Sequence, residues 1–206
     1  MRQSEDLLLR DYVVSAASSI NAGGANGDNP GFITAGDFSL VASTLDTNNA
    51  YKFVAGIDGA DKFGTGPVRS AYFALTSTEL QPDFDALQGS GFQSSNAYPN
   101  TSNALQSEFG ALLNARILTS SQAPVARGAS ANGRDVYYTT FFGKQALTHI
   151  AQDGMSFRLL YRGPEYSGML QQNVSLAIKW MQSQALTQDT AVRNLLSTRQ
   201  TNALVV

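Results

Sequence analysis

The sequence contains no cysteine and only one histidine, His149, among its 206 residues. The absence of cysteine excludes disulfide bonds, thiolate nucleophiles and cysteine-bound zinc. A single histidine also argues against a transition-metal site, because carboxylates would then have to supply nearly every ligand. Stability must therefore come from packing, strand pairing or partners, and we expect neither a metal nor a cofactor.

Charged residues and long apolar runs are also scarce. Charged side chains make up 15% of the sequence, whereas roughly 25% is usual in a soluble domain. Because the centres of protein interfaces are poor in Lys, Glu and Asp, this composition favours a protein that assembles, although a low-charge monomer fits it about equally well. No apolar run reaches the roughly 20 residues of a membrane-spanning helix, and residues 1–10 lack the features of a signal peptide. We expect a soluble protein in a cytoplasm-like compartment.

The balance of charge argues against tight binding to DNA. The formal net charge is -2, from 14 basic and 16 acidic residues, and no run of like charges occurs. Because the basic side chains are dispersed, few phosphates can be neutralised together, and any contact with DNA should be weak and salt-dependent. The dispersed arginines include Arg69, Arg116, Arg127, Arg134, Arg158 and Arg162.

Two helices are predicted near the start of the sequence. Thr34 is the predicted N-cap of a helix over 34–50. Asp37, three residues later, completes the pattern of a weak capping box. Residues 5–20 predict a helix with one apolar face, formed by residues at helical spacing: Leu8, Tyr12, Ala16 and Ile20, with Leu9 and Val13 beside them.

Apolar runs and alternation predict strands in the rest of the sequence. A short helix over 78–87 is predicted to begin at Thr78, and another is predicted from Lys144, after a turn at Gly143. Trp180 continues the alternation of the last predicted strand, and we expect it to pack against the helix over 5–20. Residues 185–199 also fit a helix, by the spacing of Leu186, Val192, Leu195 and Leu196. The predicted strands cover 70–77, 111–120, 135–142, 156–162 and 173–183.

Candidate catalytic and metal-binding residues lack the partners that their chemistry needs. His149 has no companion that would orient it as a base, and no G-x-S-x-G motif occurs. Lys144 is interpreted as a solvent-facing helix start. The glycine-rich loop over 56–67 precedes a strand, which is the opposite of the order in phosphate sites. Two acidic pairs lack the register of a calcium loop and are interpreted as solvated carboxylates: Asp58 with Asp61, and Asp83 with Asp85.

Several motifs follow one another in a fixed order along the sequence. A helix that ends in Asn-Asn-Ala is followed by a strand and a short helix, a Glu-Phe-Gly turn into a strand, and a Val-Tyr strand that leads to Gly-Lys. The segments are TAGDFSLVASTLDTNNAYKF, PVRSAYFALTSTELQPDFDAL, EFGALLNARILTSS, NGRDVYYTTFFGKQALTHI and SLAIKWMQSQAL, with glycine-rich stretches between them. This order resembles that in the major capsid proteins of tailed bacteriophages, and the resemblance covers residues 5–196.

This resemblance implies the α+β, two-lobed shell fold that tailed phages share with herpesviruses. A central lobe would lie near the symmetry axes, and a peripheral lobe would contain a long helix and long strands. The expected lobes are 1–55 (peripheral helices), 56–168 (central lobe) and 169–206 (return strands of the peripheral lobe). The N-terminal arm and extended loop of such proteins have no counterpart, so we expect either a fragment of a longer coat protein or a reduced version.

The function implied by the resemblance is structural. The chain would assemble with itself into pentamers and hexamers of an icosahedral head that encloses double-stranded DNA, with only weak, non-specific DNA contact. It would have no catalytic, cofactor-binding or metal-binding residues, and portal, scaffold and decoration proteins would be its other partners. It would be found in the virion, and in the host cytoplasm during assembly. The alternative is a small α+β hydrolase or ligand-binding domain with a site in the loops 56–67 and 89–104.

The interpretation of His149 as chemically idle yields a first prediction. His149→Gln should leave particle assembly within a few-fold of the parent protein, because no partner that would give the imidazole a catalytic or metal-binding role is predicted. Counting particles in negative-stain images of both proteins checks this. Complete loss of particles from a variant whose subunit is still folded would contradict it.

Overall fold

A computed structural model describes residues 2–24, 29–53, 70–98, 104–151, 158–163, 174–179 and 182–200. The chain forms two compact units, one made of Met1–Ala146 with Gln188–Val206 and the other of Leu147–Thr187. Among the described residues, no helix is long and apolar enough to cross a membrane.

Helices are few and strands are many in the described residues. The helices are α1 (Arg2–Ala16), α2 (Ala35–Thr47) and α3 (Gln81–Ala86). The strands are β1 (Ser18–Asn21), β2 (Tyr72–Ser77), β3 (Phe92–Ser94), β4 (Glu108–Leu112), β5 (Ala115–Ser120), β6 (Val125–Ala126), β7 (Val136–Phe142), β8 (Leu147–Ala151), β9 (Arg158–Arg162), β10 (Ser175–Lys179), β11 (Gln182–Leu186) and β12 (Val192–Ser197). Strands β8 to β11 belong to the second unit.

The first unit is built on one mixed sheet with the order β1-β12-β7-β2-β5-β4-β3, and β6 pairs with β7. The pairs β1–β12 and β2–β5 are parallel, and the other neighbours are antiparallel. Strand β2 lies inside the sheet, and Tyr72, Phe73 and Ala74 are all buried. This burial on both faces explains its continuous apolar sequence. From α2, Phe38 packs edge-on against Phe141 of β7.

The second unit consists of two antiparallel strand pairs, β8 with β11 and β9 with β10. Leu147 lies opposite Leu186 in the first pair, and Arg158 lies opposite Lys179 in the second. We refer to the β9–β10 pair as the ribbon.

The predicted capping box of α2 is confirmed. The backbone N–H of Asp37 donates to Thr34 Oγ1 at 3.3 Å, and the Asp37 carboxylate accepts from the backbone N–H of Thr34 at 2.9 Å. Asp37 also accepts from the backbone N–H of Gly23 at 3.0 Å, so the same side chain holds the preceding loop against the helix start. A local signal therefore specifies both the start of α2 and part of its tertiary contact.

Two predictions near β1 and β5 are wrong. The first helix ends at Ala16 rather than at residue 20, and Ser18–Asn21 instead forms β1 along β12. The predicted single strand over 111–120 is a hairpin of β4 and β5. Its turn lies at Leu113, which has a φ of 54° although it is not glycine, so the sequence carries no ordinary turn signal there.

Two helices predicted in the second half are strands. The helix predicted from Lys144 is a turn, in which the Lys144 N–H donates to Tyr51 O at 2.8 Å, followed by β8. A Cβ on Gly143 would lie 2.8 Å from Tyr51 O, so glycine is required by this close approach. The helix over 185–199 is replaced by β11 and β12. Strand β12 is buried on both faces, so apolar residues are not restricted to alternate positions. The spacing of Val192, Leu195 and Leu196 therefore also fits the pattern of a helix.

The short helix over 78–87 begins differently from the prediction. Residues 78–80 form a 3-10 turn before α3, and Ser77 rather than Thr78 accepts a capping bond, from the Glu79 N–H at 3.3 Å.

The predicted lobes and the compact units divide the chain at different residues. Strand β12 falls in the predicted peripheral segment 169–206, yet it lies in the main sheet between β1 and β7. The assignment of 1–55, 56–168 and 169–206 to a peripheral and a central lobe stays a prediction. Trp180 lies outside the described residues.

A buried ion pair stands at the centre of the β4–β5 hairpin. Arg116 and Glu108 both have fully buried side chains, and they form two hydrogen bonds, of which Nε to Oε1 measures 2.7 Å. Glu108 also accepts from the Tyr98 hydroxyl at 2.7 Å and from the Leu105 N–H at 3.0 Å. The Arg116 guanidinium lies over the ring of Phe73, 5.6 Å from its centroid. Every oxygen of this buried carboxylate is therefore hydrogen-bonded, as burial of a charge requires.

We predict that Arg116→Met destabilises the protein by about 3–5 kcal/mol, because it leaves the Glu108 carboxylate buried without its cation. Urea unfolding measures the change. The matched control is Arg127→Met, which removes two surface ion pairs, with Glu79 and Asp135, and should cost less than about 1 kcal/mol. Equal losses in the two variants would contradict the role assigned to burial.

Candidate functional site

The candidate residues from the sequence do not come together as a site in the described structure. His149 lies in β8 opposite Gln184. Asp83 is buried and accepts from the Gln200 N–H at 3.1 Å, whereas Asp85 is exposed, so these two carboxylates do not share one environment. Asp58, Asp61 and the loop 56–67 lie outside the described residues. Among the side chains that the structure describes, no group of three or more His, Cys, Asp or Glu could hold a metal ion.

The second proposed loop, 89–104, is described over residues 89–98 and at 104. Gly89 and Gly91 have positive φ angles and shape the turn before β3. Tyr98 points its hydroxyl to the buried Glu108. In this part of the loop the polar chemistry thus supports the hairpin rather than a ligand.

A cavity of about 620 Å³ lies beside α1. Its polar lining includes Asp6, Arg10 and Ser120. The Ser120 Oγ accepts from the Gln122 N–H at 3.2 Å, and Arg10 donates to Gln122 O at 3.0 Å and pairs with Asp11. A nucleophile system needs a hydroxyl beside an oriented base, and these lining residues do not form one.

A charged cluster joins the turn before α3 to the β6–β7 segment. Arg127 pairs with Glu79 and with Asp135, the latter at 2.6 Å, and the Tyr137 hydroxyl donates to Glu79 at 2.7 Å. The Arg127 guanidinium, and then the Tyr137 hydroxyl, hold the pKa of Glu79 below its ordinary value of 4.5. Arg127, and then the Gly128 N–H, lower the pKa of Asp135. Burial, and then the bond to Glu79, raise the pKa of Tyr137 to about 12. These shifts follow from a closed ion-pair network that links neighbouring elements.

One face of the ribbon is apolar and exposed. In antiparallel pairs, directly opposite residues project to the same face. Leu159 lies opposite Ile178, and Tyr161 lies opposite Leu176. Their exposed fractions are 55%, 41%, 67% and 66% in the order Leu159, Ile178, Tyr161 and Leu176. Four large apolar side chains on one face form a patch of the kind that marks an interaction site.

The opposite face of the ribbon is basic. Arg158 lies opposite Lys179, and Arg162 lies opposite Ser175. Leu160 and Ala177 lie between these two pairs, and all six residues are exposed. The ribbon therefore has one apolar and one basic face.

Exposed apolar side chains also occur on α1. Leu8 and Tyr12 are exposed at 58% and 37%, whereas Val13 is buried. The apolar face predicted for this helix is thus partly open in the single chain. The sequence predicted strands at β9 and β10 and alternation in β10. It did not predict the two-faced character of the ribbon, because that depends on the register between distant strands.

Comparison with solved structures identifies the fold. The capsid of Ralstonia phage GP4 matches 92% of this chain and 54% of its own, with a TM-score of 0.60 and 10% sequence identity. The capsid of the cyanophage P-SCSP1u matches 96% of this chain and 62% of its own, with a TM-score of 0.54 and 12% identity. The chain has the fold of tailed-phage major capsid proteins.

This capsid fold also occurs outside phages. The holo-SrpI encapsulin complex from Synechococcus elongatus PCC 7942 matches 86% of this chain and 52% of its own, with a TM-score of 0.51 and 12% identity. The chain spans about half to three fifths of the length of these solved structures. No protein-family model and no curated protein matches the sequence.

The Arg127 cluster yields a prediction about pH. A carboxylate whose pKa is lowered by folding stabilises the folded state above its ordinary pKa, and this stabilisation is lost as pH falls through the lowered value. Arg127→Met should therefore lower the free energy of unfolding at pH 6, by less than about 1 kcal/mol because the pair is exposed. The difference from the parent should shrink as pH falls below the ordinary values of 4.5 for Glu79 and 3.8 for Asp135.

Urea unfolding at a series of pH values measures this difference. The control is Arg134→Met, because the Arg134 guanidinium lies over the Phe32 ring, 5.4 Å from its centroid, and its effect should depend little on pH. A difference for Arg127→Met that stays constant down to about pH 2 would contradict the linkage.

Proposed function

We propose that this chain is the structural major capsid protein of a tailed phage. It assembles into pentamers and hexamers of an icosahedral head that encloses double-stranded DNA. The observation that carries the proposal is the match to the Ralstonia phage GP4 capsid over 92% of the chain at a TM-score of 0.60. The capsid-like fold implies a structural protein rather than an enzyme, and the cavity beside α1 offers no catalytic set that would favour a hydrolase.

The ribbon supports a role in assembly. An isolated pair of strands is marginally stable in water and needs cover on its apolar face. The patch of Leu159, Tyr161, Leu176 and Ile178 is exposed in the single chain, so a neighbouring subunit is the cover that we propose. Such a contact joins different surfaces of adjacent copies and closes into a ring when the rotation between them permits it.

The remaining parts of the proposal follow from the same fold. The virion is the site of the assembled protein, and the host cytoplasm is where assembly takes place. Portal, scaffold and decoration proteins are the other proposed partners. In this proposal residues 56–168 form the central lobe, and residues 1–55 and 169–206 form the peripheral lobe.

We predict that the purified protein forms rings, shells or sheets in negative-stain images and that Leu176→Asp abolishes them. The substitution places a carboxylate on the apolar face of the ribbon, where it would be desolvated in the contact. Ser175→Asp is the matched control, since it adds the same charge to the adjacent exposed residue on the opposite face. It should still assemble. Discrete small particles from the parent protein under all assembly conditions would overturn the proposed function, and equal loss in both variants would overturn the role of the apolar face.

A further inference from the structure

We propose that Leu113, at the tip of the β4–β5 hairpin, is an anchor that contacts the apolar face of the ribbon on a neighbouring copy of the chain. The proposal rests on the proposed function, which assigns the cover of that face to a neighbouring subunit. It adds the side chain that provides the cover.

The backbone at Leu113 is strained. Its φ of 54° lies in the left-handed region, where the side chain of an L-residue crowds its own backbone and a bulky residue is rare. Asparagine tolerates this region better, and Asn114 is the next residue, yet leucine occupies position 113. Strain of this kind is concentrated at functional positions. The leucine is unfavourable for the turn, so its side chain calls for a role outside the subunit.

The surrounding contacts hold the strained turn in place. The Tyr72 N–H donates to Asn114 O at 2.8 Å, and the buried ion pair described above joins β4 to β5. A Cβ on Gly91 would lie 3.4 Å from Leu113 Cδ2, so the leucine side chain lies beside the turn that precedes β3. Leu113 is thus presented in a fixed position, and little entropy is lost when it is ordered in a contact.

The exposed surface at this tip carries no charge of its own. Leu113 is 39% exposed, and residues 88–91 of the adjacent turn, Gln-Gly-Ser-Gly, are all exposed. These residues supply no cation for a phosphate, and a hairpin tip is not the concave pocket that a small ligand needs. Because the centres of protein interfaces are poor in charged residues, the tip fits an apolar protein surface.

The apolar face of the ribbon is the matching surface on the same chain. It exposes four large apolar side chains and needs cover, as argued above. The exposed side of α1 matches less well, because Asp11 is exposed three residues from Leu8, on the same side of the helix. A tip from one copy against the ribbon of the next joins two different surfaces, which is the type of contact that builds rings.

Leu113→Asn tests the anchor. Asn49 adopts a φ of 57° in this chain, so the variant should fold, with a urea unfolding midpoint close to that of the parent. It should raise the subunit concentration at which particles appear in negative-stain images by about 10-fold or more, as expected when an interface loses an anchor. The matched control is Leu40→Asn on α2, where the leucine is 51% exposed, and the change should be less than about two-fold. Leu113→Met keeps the apolar side chain and should assemble like the parent.

Cysteine cross-linking tests the contact itself, since the sequence contains no cysteine. The Leu113→Cys protein is mixed with a tagged protein that carries one cysteine on the ribbon, and the assembled mixture is treated with copper-phenanthroline in air, which oxidises two thiols to one disulfide. A disulfide needs Cα atoms within about 7 Å of each other. A mixed dimer should therefore form with at least one position on the apolar face and with none on the opposite face. The apolar-face positions are Leu159, Tyr161, Leu176 and Ile178, and the opposite-face positions are Leu160, Ser175 and Ala177.

Four results overturn the proposal. These are particles from Leu113→Asn at the parent's concentration, an equal loss in Leu40→Asn, a loss of particles in Leu113→Met, and mixed dimers that are absent or equally abundant from both faces of the ribbon. If Leu113→Asn does not fold, the cross-links decide. If the parent forms no particles, the proposed function fails, and the mixed dimers alone decide whether the contact between copies stands.

Discussion

The antiparallel pairing of β12 with β7 is the constraint on which the rest of the structure depends. It runs from Val192 opposite Phe142 to Ser197 opposite Tyr137, so the chain leaves the main sheet and re-enters it at two facing residues. The chain segment between these two strands includes the ribbon, and this pairing holds the two ends of the segment together. The same strand holds α1, because Asn194 accepts from the Thr140 hydroxyl at 2.9 Å and donates to the carbonyl of Val14 at 3.1 Å.

Charged residues are few in this chain, and the role of each one depends on whether it lies in the interior or on the surface. In the interior, Arg116 and Glu108 neutralise each other and fix the β4–β5 hairpin, although its turn residue Leu113 is unfavourable. The net stability that such a buried pair adds is small, whereas removal of one partner is strongly destabilising because it leaves the other charge buried. On the surface, Arg127 is shared by two carboxylates and joins neighbouring segments. On the ribbon, the cations are gathered on one face, with Leu160 between them, and four large apolar side chains lie on the other face.

The features that were predictable from sequence are those encoded by neighbouring residues. The capping box of Thr34 and Asp37 and the apolar run of β2 are local, and the motif order pointed to the capsid fold. The hairpin at Leu113 was not predictable, because a positive φ at leucine has no turn signature in the sequence. Strand β12 was not predictable either, because a strand that is buried on both faces shows no alternation of apolar and polar residues. The ribbon face was missed for a different reason. Arg158 and Lys179 become neighbours only through the register between β9 and β10. The sequence alone does not specify that register, because a long segment separates the two strands.

The parallel pairing of β1 with β12 has a consequence for how the subunit is made. Ile20 pairs with Leu195, so β1 has to wait for its partner strand while all the residues between them are synthesised. At roughly 5–20 residues per second, that interval is on the order of 10–35 s. Until then the edge of the sheet that β12 occupies is open, and α1 lacks its hydrogen bonds from Asn194. Nascent chains are consequently without a finished sheet, and any contact that needs the completed sheet can form only after this pairing.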